Sequence, residues 1–113
     1  MDYARAMVEH PMWAWHIGMV AERGARVYDI GKGFAGYEVP DINHPATKGW
    51  LLHMLREACE TPRIWVEAVR LTDVPGEWSY RACGFMGCGA MGWQATEGEA
   101  LAAALLAVWG GAA

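Results

Sequence analysis

Apolar residues recur at the spacing of an amphipathic helix in three segments of the chain. The first segment covers residues 2–9 and ends before Pro11, which cannot continue a helix. The second covers residues 45–59, with a proline at the first helical position and Asn43 or His44 as its cap. Both segments predict helices that bury one face against a core.

The third helical segment begins at the sequence TEGE, residues 96–99. This sequence is typical of a capping box, in which Thr96 caps the helix and the side chain of Glu99 reaches back to the cap. Alanine and leucine dominate from there to Trp109, and a pair of glycines then ends the helix. The alanines predict close packing against a sheet.

Alternating apolar and polar residues predict four β-strands between these helices. A tight turn at Arg23-Gly24 joins two strands, which places His16 and Asp29 on one face of a first hairpin. RIWVEAVRL and EWSYRACGF form a second hairpin, joined through TDVPG. The order helix, two strands, helix, two strands, helix predicts a single α+β domain over residues 1–113, with helices packed on a mainly antiparallel four-stranded sheet.

Composition and charge narrow the classes of function. Of 113 residues, 54% are hydrophobic and 19% are charged, which is typical of a compact globule and not of a disordered chain. The net charge is −4 and nine cations are scattered among thirteen acids, so duplex nucleic acid is not expected as a partner. Seven tryptophans exceed the needs of a core this size. Either most of them pack internally, or the surplus lies at an interface or in a ligand pocket.

Cysteine usage and hydropathy predict an intracellular protein without a membrane span. The three cysteines are an odd set, which argues against a disulfide framework and favours a reducing cytoplasm. The sequence begins MDYARAMVEH, which has no signal-peptide pattern. The longest apolar run, ALAAALLAVW, has ten residues, about half of what a membrane span requires.

Two stretches match the pattern G-x-G-x-x-G: GKGFAG at residues 31–36 and GCGAMG at residues 87–92. A dinucleotide site needs these glycines between a strand and a helix, with an acid about twenty residues further on. The first stretch leads into YEVPD, which cannot begin a helix, and the second leaves no room for the strand that would hold the acid. Both stretches therefore predict turns, bulges or close approaches of the backbone.

No complete set of reactive side chains can be assembled from the cysteines and histidines. Cys83 and Cys88 have four residues between them, but zinc requires a second pair of ligands, so buried and inert thiols are favoured. His16 and Asp29 could form an oriented base, but no nucleophile can be placed beside them, and a surface hydrogen bond is the favoured interpretation. We therefore expect no enzymatic activity, no metal and no cofactor.

A resemblance to known proteins rests on four stretches: YARAMVEHPMWAW, GMVAERGARV, VPDINHPATKGWLLHMLREAC and ATEGEALAAALLAV. They resemble a group of small uncharacterised proteins of tailed phages and prophages, which shares a PD-x-x-D-P-A-T-x-G-x-L-L-x-L-x-R-E-A helix and a terminal T-E-x-E-A-L-x-x-A-L helix. The similarity covers nearly the whole chain and departs at His44, where the group has a capping aspartate. The resemblance implies a phage genome as the origin and the host cytoplasm as the location, but no mechanism.

The second hairpin predicts a candidate ligand site. If residues 74–77 make a tight turn, Arg70 lies directly opposite Arg81, and a phosphate could neutralise the two guanidinium groups. The aromatic side chains that could stack a base beside them are Trp50, Trp65, Trp78 and Tyr80. Two alternatives stay open: a longer turn separates the arginines, or Glu67 or Glu77 neutralises them.

Taken together, these features predict a phage protein that acts by binding. The leading hypothesis is a host-takeover or anti-defence factor that sequesters a small phosphorylated ligand such as a nucleotide, or that blocks a host protein. We expect a homo-oligomer, formed by pairing of sheet edges or by burial of apolar helix faces. The alternative is a structural or assembly protein of the virion.

Overall fold

The structure is a computed structural model that describes residues 2–27, 39–70, 77–85 and 92–110. These residues form, in chain order, the elements α1 (Tyr3–Val8), α2 (Pro45–Ala58), β1 (Trp65–Val69), β2 (Ser79–Cys83) and α3 (Glu97–Gly110). Each helix begins and ends within one residue of its predicted limits, so the helical part of the prediction is confirmed.

Side-chain caps explain where the two long helices begin. α2 has Pro45 at its first position, and Nδ1 of His44 accepts a hydrogen bond from the N–H of Ala46 at 3.1 Å, so the imidazole provides the cap. At α3 the hydroxyl of Thr96 accepts from the N–H of Glu99 at 3.1 Å and donates to the Glu99 carboxylate at 3.3 Å. The cap at Thr96 is as predicted, but the carboxylate reaches the hydroxyl and not a backbone N–H.

The predicted first hairpin is the main departure from the expected order. In place of two strands, residues 18–27 form a turn with one isolated bridge, between Val20 and Arg26. A backbone hydrogen bond closes the turn around three residues and not two, and Gly24 within it has a positive φ of 82°. The rest of the predicted hairpin, including Asp29, lies outside the described residues.

The prediction of a four-stranded sheet is wrong, because the described residues contain one sheet of two strands, β1 paired antiparallel with β2. The alternation that predicted two further strands is interrupted at Gly18, whose φ of 98° turns the chain. The three-residue turn at Gly24 also shifts the pairing by one residue relative to the predicted two-residue turn. This shift moves the side chains that follow the turn to the opposite face from the one predicted. The fold class is therefore α+β, with three helices and a two-stranded antiparallel sheet.

The segment around Val20 is held by its neighbours and not by a sheet. The carbonyl of Val20 accepts a hydrogen bond from the N–H of Asp41 at 2.8 Å. The fully buried hydroxyl of Thr47 on α2 binds both backbone polar groups of Val20. These contacts fix the chain before Val20 against α2, where the candidate site lies.

α3 lies at the centre of the core and contacts both other helices and both strands. Its small side chains Ala102 and Ala104 are fully buried, which lets the neighbouring elements approach closely. The buried side chains packed around it are Ala4, Met7, Met19, Val27, Ile42, Leu51, Leu55, Ile64 and Ala82. Although α3 is 14 residues long, neither it nor any other helix in the described ranges has the combined length and apolar character needed to cross a membrane.

The two faces of the sheet differ in their surroundings. Val66 of β1 and Ala82 of β2 belong to the hydrophobic core, so their face is directed inward. The opposite face carries Trp65, Glu67 and Arg81, because side chains alternate along a strand. Glu67, Arg81 and the exposed Trp65 therefore lie on the side of the sheet opposite Val66 and Ala82.

Candidate functional site

Three side chains on one face of α2 provide the beginning of a candidate site. Trp50, His53 and Glu57 stand at i, i+3 and i+7, a spacing that brings residues to the same side of a helix. Nε2 of His53 lies 3.1 Å from Oε1 of Glu57, and the rings of His53 and Trp50 meet edge to face with centroids 5.6 Å apart. Of these three, only Trp50 was predicted as a site residue, although helical spacing would have identified the other two.

His16 completes this group, which we call the Trp50 cluster (His16, Trp50, His53 and Glu57). The imidazole of His16 stacks on the indole of Trp50, with ring centroids 4.3 Å apart and planes inclined by 14°. The indole N–H of Trp50 donates to the carbonyl of Ile17 at 3.0 Å. The segment that follows α1 therefore fixes both the plane and the rotation of the tryptophan ring. No sequence periodicity connects His16 with α2, so its position could not be predicted.

Two hollows lie beside the cluster. The first, which we call the Trp50 hollow, is a shallow depression open to solvent, with a volume of about 390 Å³. It is lined by Pro45, Ala46, Gly49, Trp50 and His53. The second has a volume of about 300 Å³ and includes Met12, His16 and Trp109 in its lining. Volumes of this size are sufficient for a small ligand or for a few side chains of a partner protein.

Charged side chains are distributed unevenly around the cluster, because Glu57 lines the second hollow but not the Trp50 hollow. Burial lowers the pKa of His16 and the nearby His53 lowers it further, whereas Glu57 raises it, and the net direction is downward. The imidazole of His16 is therefore neutral near pH 7. None of the described residues that line the Trp50 hollow is a lysine, an arginine or an acid.

The predicted pairing of Arg70 with Arg81 is wrong. The register of the sheet places Glu67 opposite Arg81, and Nε of Arg81 lies 3.4 Å from Oε2 of Glu67. The guanidinium of Arg81 also lies 4.4 Å from the centroid of the Trp93 ring. Burial lowers the pKa of Arg81, but hydrogen bonds to Cys83 and Glu67 raise it, and the net direction is upward. The alternative in which Glu67 neutralises this arginine is confirmed.

The other residues predicted to bind a ligand are spread over separate places. Trp65 and Trp78 are exposed, at 54% and 45%, and the guanidinium of Arg70 lies 5.9 Å from the centroid of the Trp78 ring. Tyr80 is half-buried within β2, and Trp50 belongs to the cluster on α2. The loop that joins the two strands lies outside the described residues. The described contacts therefore bring Arg70 to Trp78, whereas Trp50 and Arg81 bind other partners.

The described cysteines are not arranged for metal binding. Sγ of the buried Cys83 donates to Oε2 of Glu67 at 3.2 Å, and burial raises the pKa of Cys59, which makes that thiol less reactive. In the part of the chain that the structure describes, no three His, Cys, Asp or Glu side chains lie close enough to hold a metal ion. Cys88, the GKGFAG stretch and most of GCGAMG lie outside the described residues.

Comparison with known proteins adds no assignment, because no family model, curated protein or solved structure matches this chain. The resemblance to phage proteins therefore stays a prediction from the sequence motifs. The candidate site is therefore defined by the geometry of the Trp50 cluster and the hollows beside it.

Proposed function

We propose that this chain is a non-enzymatic binding protein that holds a planar ring, such as a nucleobase, against Trp50. The observation that supports the proposal is a hollow of about 390 Å³ beside a tryptophan whose ring is already held in place by His16 and Ile17. A ring that is fixed before binding loses little conformational entropy on binding, which favours affinity.

The same geometry favours a ring over a phosphate as the recognised group. A base presents an uncharged aromatic face that can stack on an indole, and such stacking contributes about 1–3 kcal/mol. No cation is found among the described residues lining the hollow, and the nearby Lys48 is paired with Glu97 at 3.1 Å. The proposed ligand is therefore recognised through its base or another flat heterocycle.

The proposed biological role is sequestration of such a ligand during phage infection. It is supported by the resemblance of HPATKGWLLHMLREA, which is the α2 segment, to the helix shared by phage and prophage proteins. The Trp50 cluster lies on this same helix. A protein that only binds its ligand lowers the free concentration without turnover, and it must be made in amounts comparable to the ligand.

Isothermal titration with adenosine, guanosine, cytidine and uridine tests the proposal. We expect at least one nucleoside to bind, and Trp50→Ala to weaken its affinity by about 5- to 150-fold, the equivalent of one lost stacking contact. Gly49→Leu is a second variant that leaves Trp50 intact. Because a Cβ at Gly49 meets no atom within 4 Å, the leucine is expected to occupy the hollow without disturbing the fold.

Trp78→Ala is the matched control, since Trp78 is exposed and its described ring contact is with Arg70. This variant is expected to bind as the wild type does. If no nucleoside binds, or if Gly49→Leu binds as tightly as the wild type, the hollow is not the ligand site and the proposal is wrong.

A second candidate function is the blocking of a host protein, and it is favoured by two exposed apolar side chains near the cluster. Met12 and Ile17 are 61% and 55% exposed, and Met12 lines the second hollow. If this function is correct, a host protein co-purifies in fixed stoichiometry and is lost on Met12→Ser with Ile17→Ser, while Trp78→Ser retains it. Stable association with purified virions would instead favour a structural or assembly role.

A further inference from the structure

The hydrogen-bonding direction of β2 determines which backbone groups β1 presents at its outer edge. The N–H and the carbonyl of Tyr80 both bond Gln94, at 2.8 Å each, so they point away from β1. Facing residues in an antiparallel pair alternate between exchanging hydrogen bonds and not doing so. Ala68, which faces Tyr80, therefore directs its own N–H and carbonyl to the opposite edge of β1, as does Val66 two residues earlier.

In the part of the chain that the structure describes, this outer edge of β1 is open. Within the described residues no hydrogen bond reaches the backbone of Val66 or Ala68 from outside the sheet, and Ala68 is exposed. Unpaired strand edges are templates for another strand unless charges or prolines protect them. β1 contains no proline, its one charged side chain, Glu67, is paired with Arg81, and Trp65 at its beginning is 54% exposed.

We propose that a second copy of this chain pairs its own β1 antiparallel with this edge, with Ala68 opposite Ala68. Two sheets of two strands then join into one continuous sheet of four. The partner is a second copy because β1 is self-complementary. Among the registers centred on its described residues, the one at Ala68 pairs the longest stretch, residues 66–70, without opposing like charges or displacing an edge contact.

A two-fold axis perpendicular to the sheet keeps each face of the sheet on its own side. With such an axis, one residue of β1 lies directly opposite the same residue of the second copy, and the axis is named by that residue. An axis at Glu67 places two carboxylates directly opposite each other, which is destabilising. An axis at Val66 requires the carbonyl of Ile64, but Nε and Nη2 of Arg56 already occupy it at 3.2 and 2.8 Å. An axis at Ala68 has neither conflict.

The Ala68 register also provides favourable neighbours. Glu67 of each copy faces Val69 of the other, and Val66 faces Arg70, so no like charges are opposed. Trp65 comes within diagonal reach of Val69 of the second copy, which covers part of its exposed ring. On the N-terminal side of Val66, the side chain of Arg56 occupies the carbonyl of Ile64, so the pairing is limited to residues 66–70.

Native mass spectrometry and light scattering across a range of concentrations provide the first test. The wild type is expected to be a dimer in exchange with monomer. Ala68→Pro is expected to be monomeric, because proline removes the outward N–H but no hydrogen bond to β2. Circular dichroism spectra that match those of the wild type establish that this variant is folded. A monomeric wild type, or a dimeric Ala68→Pro, overturns the proposal.

Cross-linking tests the register and does not depend on the folding of the proline variant. Two hydrogen-bonded residues facing each other have Cα atoms about 5.5 Å apart, so Ala68→Cys is expected to form a dimer linked by the introduced thiols on oxidation. Arg70→Cys is the matched control, because the two copies of this exposed position lie about 13 Å apart along the strand. Efficient linkage of Arg70→Cys, or none of Ala68→Cys above the wild-type background, overturns the proposed register.

Discussion

The hydroxyl of Thr47 binds both polar backbone groups of Val20: it accepts from the N–H at 3.0 Å and donates to the carbonyl at 3.1 Å. Val20 and Thr47 are both buried, so water cannot replace the hydroxyl as the partner of the Val20 N–H, whereas the Val20 carbonyl also accepts from the N–H of Asp41. This pair attaches the first third of the chain to α2. It thereby brings His16 and Ile17 to Trp50, and the candidate site depends on it.

Thr47→Val tests this attachment. The variant keeps the shape of the side chain but leaves the buried N–H of Val20 without a partner, which is expected to lower the free energy of unfolding by about 1–3 kcal/mol. Urea denaturation measures the change. Thr47→Ser keeps the hydroxyl and is expected to lose less stability than Thr47→Val, and the reverse order would contradict the role of the hydrogen bonds.

His16 predicts a dependence of stability on pH. The pKa of His16 is lower in the folded protein than its ordinary value of about 6.5, so below about pH 6.5 the unfolded state binds more protons than the folded state. The contribution of His16 therefore reduces stability as the pH falls through this range, and it is absent at higher pH. His53 and Glu57, which shift this pKa in opposite directions, are unchanged in the experiment.

His16→Phe is the variant that isolates this effect, because phenylalanine stacks on Trp50 but does not titrate. The free energy of unfolding of the wild type is expected to fall more between about pH 7.5 and about pH 5.5 than that of His16→Phe. His16→Gln, which lacks both the ring and the titration, is expected to lose the pH effect and also the stacking. Equal losses in the wild type and His16→Phe would show that His16 is not responsible.

Gly98 in the first turn of α3 allows a close approach that no other residue permits. A Cβ there would collide with the carbonyl oxygen of Ile42 and lie 2.6 Å from Oδ1 of Asn43. Gly98→Ala is therefore expected to destabilise the fold by about 1–3 kcal/mol, in spite of the better helix propensity of alanine. Gly49→Ala, at an open position within α2, is expected to stabilise by about 0.5–1 kcal/mol. Thermal unfolding of the two variants should shift in opposite directions.

Alanine substitutions at Gly84 and Gly24 distinguish the stability lost through backbone conformation from the stability lost through crowding. Both have positive φ, 100° and 82°, but a Cβ at Gly84 would collide with the carbonyl of Arg63 whereas a Cβ at Gly24 meets no atom within 4 Å. Gly24→Ala is expected to cost about 1–2 kcal/mol for the left-handed conformation alone. Gly84→Ala is expected to cost about 1–3 kcal/mol more. Similar losses of stability in urea would show that the contact with Arg63 yields easily.

The helices could be predicted from the sequence because their signals are local. Pro45 at the first position of α2, and Thr96 as the cap of α3, depend on residues no more than a few positions away. The second hairpin was also found, since β1 and β2 lie within the segments predicted as strands. Its register was not, because the register depends on the length of the connecting turn, which the sequence left open.

The candidate site depends on long-range contacts that the sequence pattern does not encode. Stacking of His16 on Trp50 joins residues 34 positions apart and follows from the Thr47–Val20 contact, not from a periodic motif. The arginine site failed for the opposite reason. The predicted pair of arginines depended on the length of a nearby turn. The actual register places Glu67 opposite Arg81, so an ion pair stands where an anion site was predicted.

The central position of α3 has a consequence for synthesis on the ribosome. α3 follows every other described element in the chain, yet α1, α2 and both strands pack against it. While α3 is still inside the ribosome, the nascent chain exposes Met7, Leu51 and Leu55 to water or to chaperones. We therefore expect these elements to acquire their native packing only after α3 has left the ribosome, and ribosome-stalled chains lacking α3 to be cleaved readily by proteases.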